Sequence, residues 1–239
     1  MNQSMNIEVF GIVRPENIKS LEIRISRIRK MLSEENTLEH AIIELMVTSL
    51  ISHGKSENQI RQISQISKIL GESLGLGLVY CNRLELAARV YDIGNLIIDS
   101  EVYEKEDQLT FEEFRVVKNH TITGYDMLIS QNFLSMDLAA VISAEHHEWW
   151  NGGGYPRGLK EKEMDIASRI VAVADTVGAL YTKRPGREAW SYTKILEYLK
   201  SRSGMQFDPD VIEVFFINQK IIEEVLRMDL ASIPTKWYE

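Results

Sequence analysis

Apolar residues recur three and four apart along most of this chain, the period of helices with one buried face. In "NIKSLEIRISRIRKML" the residues Ile18, Leu21, Ile25, Ile28 and Leu32 form a seam flanked by Arg24, Arg27, Arg29 and Lys30. That seam suits either packing on its own domain or pairing with a second copy in a homodimer, since two heptads are marginal alone. A second helix is expected from Leu38 to Leu50, capped by Thr37 and carrying Ala41, Ile42, Leu45 and Leu50. "HGKSEN" reads as a loop, after which Ile60, Ile63, Ile66 and Leu70 resume the helical period. Further helices are expected over Leu84 to Val90, Thr110 to Leu128 and Leu138 to His147, with Thr110 and Glu113 forming a capping box. "IASRIVAVADTVGALY" is apolar on nearly every side, which implies burial. The last two helical stretches are "YTKILEYLK" and "PDVIEVFFINQKIIEEVLRM", the latter with Asp208 as cap and Pro209 in its first turn. Strand-like alternation is confined to Ile7 to Val13. The expected fold is therefore all-α: an N-terminal extension over residues 1–49, then one helical domain over residues 50–239.

Charge narrows the partners. Acidic residues outnumber basic ones 35 to 27, for a formal charge of -8, and this argues against general affinity for DNA or RNA. The single cysteine, Cys81, cannot form an intramolecular disulfide and reads as a small core residue. No apolar run approaches the ~20 residues needed to span a bilayer, and the N-terminus lacks the pattern of a secretory signal. The expectation is a cytoplasmic protein away from membranes.

Histidines and apolar-flanked acids supply the candidate chemistry. His146 and His147 stand side by side in "HHEWWNGGGYP", although the whole chain has only five histidines. Asp92 precedes a glycine in "RVYDIGN", His120 lies in "KNHTITG", and Asp175 interrupts the apolar "VAVADTVGAL". A carboxylate buried there needs a partner such as an arginine or a metal. Singly, each residue has an ordinary structural explanation. The order Asp, His, His-His, Asp along one helical chain is more specific.

The segments around these residues resemble the HD-GYP family of HD-domain phosphohydrolases. "YDIGN" is similar to that family's "HDIGK", and "VVKNHTITGYDML" to its "xKxHPxxGxxIL". "HHEWWNGGGYPRGL" resembles "HHExxDGxGYPxGL", and "RIVAVADTVGALYTKRPGREA" resembles "RIxxVADxxDALxxxRPYRxA". "SGMQFDPDVIEVF" completes the series, which covers residues 50 to 217 in the family's order. The resemblance implies an HD-domain helical bundle with a metal centre that hydrolyses cyclic di-GMP, a bacterial second messenger. It further implies that the Gly-Tyr-Pro loop lies beside the substrate, with Gly154 and Tyr155 as contacts. Arg184 and Arg187 fall on positions that meet phosphate, while Lys183 reads as a solvated turn residue. Trp149 and Trp150 suit either stacking on a base or packing the loop.

The departures from the family fall on the chemistry. Gln59 stands where the family has a histidine, Tyr91 replaces the histidine of the HD pair, and Asn95 replaces a phosphate-facing lysine. Asn151, Gly178 and Gly186 replace two aspartates and a tyrosine. By this resemblance Asp92, His120, His146 and His147 hold the second metal, whereas the first retains only Asp92 and Asp175. One transition metal ion (Fe, Mn, Ni or Zn), or none, is the expected cofactor. The expected protein is a degenerate signalling member, weak or inactive as a phosphodiesterase. It would bind a related nucleotide, or a protein partner through the Gly-Tyr-Pro loop. The alternative is an active metal-dependent phosphohydrolase with a reduced centre, acting on cyclic di-GMP or another phosphate ester. Restoring Gln59→His, Tyr91→His and Asn95→Lys is expected to raise hydrolysis.

Overall fold

A computed structural model of the chain describes residues 38–99, 102, 105, 108–129, 133–183 and 186–232. The seam at residues 18–32, the Thr37 cap, the alternating stretch at 7–13 and Arg184 lie outside the described residues. The helices, in chain order, are α1 (Leu38–Ser52), α2 (Glu57–Ser73), α3 (Leu78–Ala87), α4 (Phe111–Lys118) and α5 (His120–Leu128). They continue as α6 (Leu134–Glu145), α7 (Ile166–Tyr181), α8 (Tyr192–Arg202), α9 (Pro209–Ile217) and α10 (Gln219–Arg227). Short 3₁₀ turns occur at Ile93–Ile97, Glu161–Glu163 and Leu230–Ser232. Among the described residues the only β pairing is two isolated bridges, Asn151 with Lys160 and Ser203 with Phe207. The all-α expectation holds. No helix among the described residues is long and apolar enough to cross a membrane.

Local signals set the helix starts. Thr110 and Glu113 form the reciprocal capping box, satisfying two backbone donors that α4 would otherwise leave open. Asp208 accepts from the Asp210 amide, with Pro209 in the first turn of α9. Along α2 the expected stripe of Ile60, Ile63, Ile66 and Leu70 is buried against α7 and α3. Cys81 is buried in α3, its thiol donating to the Leu76 carbonyl.

Three expectations need correction. The stretch Thr110 to Leu128 is two helices, because the Val117 carbonyl is taken by His120 Nδ1 and the Lys118 carbonyl by the Thr121 hydroxyl. The final stretch likewise breaks at Asn218, whose side-chain amide donates to Val214 of α9 and to Ser73 Oγ on α2. On α1 Ala41 and Leu50 are buried as expected, but Ile43, Val47 and Ile51 complete the buried face, while Leu45 is exposed. That rotation lets Glu44 meet the buried Arg89 guanidinium at 2.6 Å. The helix runs from Leu38 to Ser52, and its buried residues join the common core.

Glycines bring the site-bearing elements into contact. A Cβ on Gly94 would lie 2.0 Å from the His120 carbonyl oxygen, and one on Gly124 would lie 2.2 Å from Ser143 Oγ. The turn after Asp92 therefore meets the start of α5 at backbone distance, and α5 packs tightly on the last turn of α6. Gly94→Ala should cost about 3 kcal/mol or more, the upper range for overpacking, because the obstructing atom is backbone and cannot rotate away. A urea unfolding midpoint unchanged from the natural chain would refute this.

Candidate metal centre

Asp92 ends the turn after α3, His120 opens α5, and His146 and His147 follow the last turn of α6. Fold geometry aims them at one another. His120 Nδ1 donates to the Val117 carbonyl, and His146 Nδ1 faces the Ile142 and Ser143 carbonyls at 3.0 Å each. A carbonyl can only accept, so each Nδ1 carries the proton and each Nε2 presents a lone pair. Those two Nε2 atoms lie 3.3 Å apart, and 3.4 Å and 3.8 Å from Asp92 Oδ1. Asp92 Oδ1 is itself buried with no hydrogen-bond partner. Three acceptors thus converge, an arrangement that a bound cation would satisfy. His147 joins them, the ligand atoms of the three histidines lying within 4.8 Å of one another.

Electrostatics agree with that reading. Burial alone would raise the Asp92 carboxyl, but the Lys55 ammonium, then His120 and His146, outweigh it and hold the group well below the usual carboxylate range. Burial pushes His146 down, and pushes His147 down further with help from the other two imidazoles. Both therefore stay neutral, the state that binds metal. One aspartate and three imidazoles, two of them kept neutral by burial, fit a first-row transition ion by donor type and number.

The first metal position does not fit. Tyr91 donates its hydroxyl to Asp175 Oδ1 at 2.8 Å, so the carboxylate finds a phenol where an arginine or metal was expected. The Gln59 side chain is buried at the same cavity, a neutral donor beside Asn95. Lys55 Nζ lies 2.5 Å from Asp92 Oδ2, placing an ammonium on the aspartate's other oxygen. Gly178 packs close to Ile63 of α2, and a Cβ there would lie 3.0 Å from that side chain.

Asp92, Asp175, the three histidines, Lys55 and Gln59 line a cavity of about 830 Å³. Tyr155 forms part of its wall, stacked on the His147 ring at 4.8 Å and covered by Lys118 Nζ at 4.9 Å. Burial raises its phenol, which therefore stays protonated. Arg187 also reaches the wall and donates to the Ala179 carbonyl. Trp149 lines the cavity, whereas Trp150 packs beneath Arg169. Lys183 pairs with Glu188 in solvent. Gly186 occupies an exposed turn with φ 69°, and Asn151 is exposed at the loop base, where its Oδ1 accepts from Gly153.

Two positioning residues escaped the sequence reading. Glu148 is buried and accepts from the Arg157, Gly158 and Leu159 amides, clamping the Gly-Tyr-Pro loop. Gly154 allows that closure, since a Cβ there would lie 2.4 Å from the His147 carbonyl. The glutamate's place directly after His-His was the available signal. Lys55 had none, being one residue of a polar loop.

An all-helical bundle that gathers one aspartate and three histidines at a cavity defines an HD domain, and comparisons with known proteins agree. The HD domain family model matches residues 16–211. A cyclic di-GMP phosphodiesterase of Thermotoga maritima is 31% identical over 234 residues, covering 96% of this chain and 64% of that protein. The cyclic di-GMP phosphodiesterase response regulator RpfG of Xanthomonas campestris is 28% identical, covering 90% of this chain and 62% of the relative. The chain thus spans somewhat under two thirds of either relative's length. In fold it is similar to a solved HDG"Y"P protein from Bdellovibrio bacteriovorus, with TM-score 0.54 at 22% identity over 87% of this chain and 66% of that one. The chain belongs to the HD-GYP family of HD-domain proteins.

Proposed function

We propose that this chain is a degenerate HD-GYP signalling domain that binds a cyclic dinucleotide at a one-ion centre and hydrolyses it slowly or not at all. One observation carries the reading: the acids of the first metal position are already satisfied from within the chain. Tyr91 holds Asp175, and Lys55 holds Asp92. In the second position Asp92, His120, His146 and His147 would hold the ion, which when bound would acidify a water and draw a phosphodiester oxygen. The protein would supply the rest. Arg187 lines the cavity as a positive group for phosphate, and Tyr155 offers a rigid aromatic wall. Asn95 brings no charge to developing phosphorane oxygens, which removes a large electrostatic contribution to rate.

A cavity of about 830 Å³ lies within the roughly 300–1,000 Å³ range of small-molecule sites. It supports a nucleotide over a protein partner, because Tyr155 is turned inward onto His147 rather than outward. The complete aspartate–histidine set favours a second reading, an active phosphohydrolase that cleaves cyclic di-GMP or another phosphate ester with a reduced, single-ion centre. Calorimetry with cyclic di-GMP, alongside chromatography of linear product with Mn or Fe supplied, separates the readings. Binding without product is expected. Brisk turnover that His146→Ala abolishes would overturn the proposal, as would the absence of any binding.

A further inference from the structure

We infer that the Lys55 ammonium is a built-in cation standing in for the first metal, and that it limits the centre to a single ion. This rests on the one-ion reading above and goes beyond it by assigning the cause to a residue outside the ligand set. The loop that carries Lys55 is held at both ends. Gly54 turns it with φ 100°, the Lys55 amide donates to the Leu50 carbonyl, and Ser56 caps α2 immediately afterwards. From there the side chain reaches across 37 positions of sequence to Asp92 Oδ2 at 2.5 Å. Both partners are largely buried, with side-chain exposures of 17% and 13%, so solvent screens the pair weakly.

The two oxygens of Asp92 are thereby divided. Oδ1 faces the histidine lone pairs and is left for an ion, whereas Oδ2 is already neutralised by the chain. A carboxylate that bridges two metal ions through both of its oxygens needs a cation on each. Here one of those cations is an ammonium. A divalent ion between Asp92 Oδ2 and Asp175 would lie against that ammonium, and like charges at contact repel strongly inside a protein. Supplying nitrogen ligands alone therefore does not create room for a second ion.

The test counts ions rather than turnover. Mn(II) is titrated into four chains, with stoichiometry read by elemental analysis and calorimetry and folding checked by thermal melting. The natural chain and the Gln59→His/Tyr91→His double variant are each expected to bind one ion. Adding Lys55→Met to the double variant should give two ions, and adding Lys55→Arg should return it to one, because only the positive charge is shared by Lys and Arg. Two ions in the double variant with Lys55 in place would overturn the inference, as would one ion in a folded Lys55→Met triple variant. Should that triple variant fail to fold, Lys55→Met in the natural chain decides. Its remaining ion should bind about tenfold tighter once Asp92 has no competing cation, and unchanged or weaker affinity overturns the inference. Two ions in the natural chain would instead overturn the one-ion reading itself.

Discussion

His146→Ala is expected to abolish tight metal binding, lowering affinity by more than the ~10–100-fold that follows loss of a mere outer partner of a ligand. His146 is buried at the middle of the centre, with His120 Nε2 on one side and the Tyr91 ring 4.9 Å away on another. Its Nδ1 is anchored by two carbonyls of α6, so its lone pair is aimed before any ion arrives. Alanine removes that donor and leaves His120, His147 and Asp92 to hold an ion alone. The fold should survive, because the core stripes on α2 and α7 do not depend on the imidazole. Calorimetric titration with Mn(II), alongside a melting curve, provides the check. Undiminished affinity in a folded variant would mean that the three histidines do not act together as ligands.

The largest gain should come from rebuilding the first position. The natural chain is expected to form little or no linear dinucleotide from cyclic di-GMP. Lys55→Met, Gln59→His, Tyr91→His and Asn95→Lys together should raise the rate by ~10²–10³ or more, the typical effect of one preorganised charge contact. Each change has a distinct task. Tyr91→His withdraws the hydroxyl from Asp175 and, with Gln59→His, supplies two nitrogen donors. Asn95→Lys brings positive charge to a position that lines the cavity. Lys55→Met removes the cation from Asp92, the step that three substitutions chosen from sequence motifs omit. Single changes should do little, since groups that act as a unit contribute non-additively. The measurement is product formed with Mn or Fe supplied. A folded fourfold variant that binds two ions yet stays inert would place the defect elsewhere, with Gly186 and Asn151 the next positions to restore.

The reach of the sequence differed sharply from one feature to another. The α2 stripe, the Thr110–Glu113 box and the Asp208–Pro209 start were legible in advance because each depends on residues a few positions apart. The approach of Asp92, His120 and the His-His pair was also legible, through motif order, whereas the glycines that let backbones meet there emerged only in the structure. The helix breaks at Asn119 and Asn218 were not, since unbroken apolar periodicity says nothing of side chains that compete for helical carbonyls. Nor was the buried face of α1, which turned on where Arg89 waits for Glu44. Above all, the resemblance singled out Gln59 and Tyr91 as departures at ligand positions, but not what would neutralise the acids beside them. Tyr91 meets Asp175 across 84 positions and Lys55 meets Asp92 across 37. A buried carboxylate must be neutralised by something, and local sequence does not specify which distant group will do it. Only the packing of α2, α3 and α7 around one cavity decided that a phenol and an ammonium would take that place.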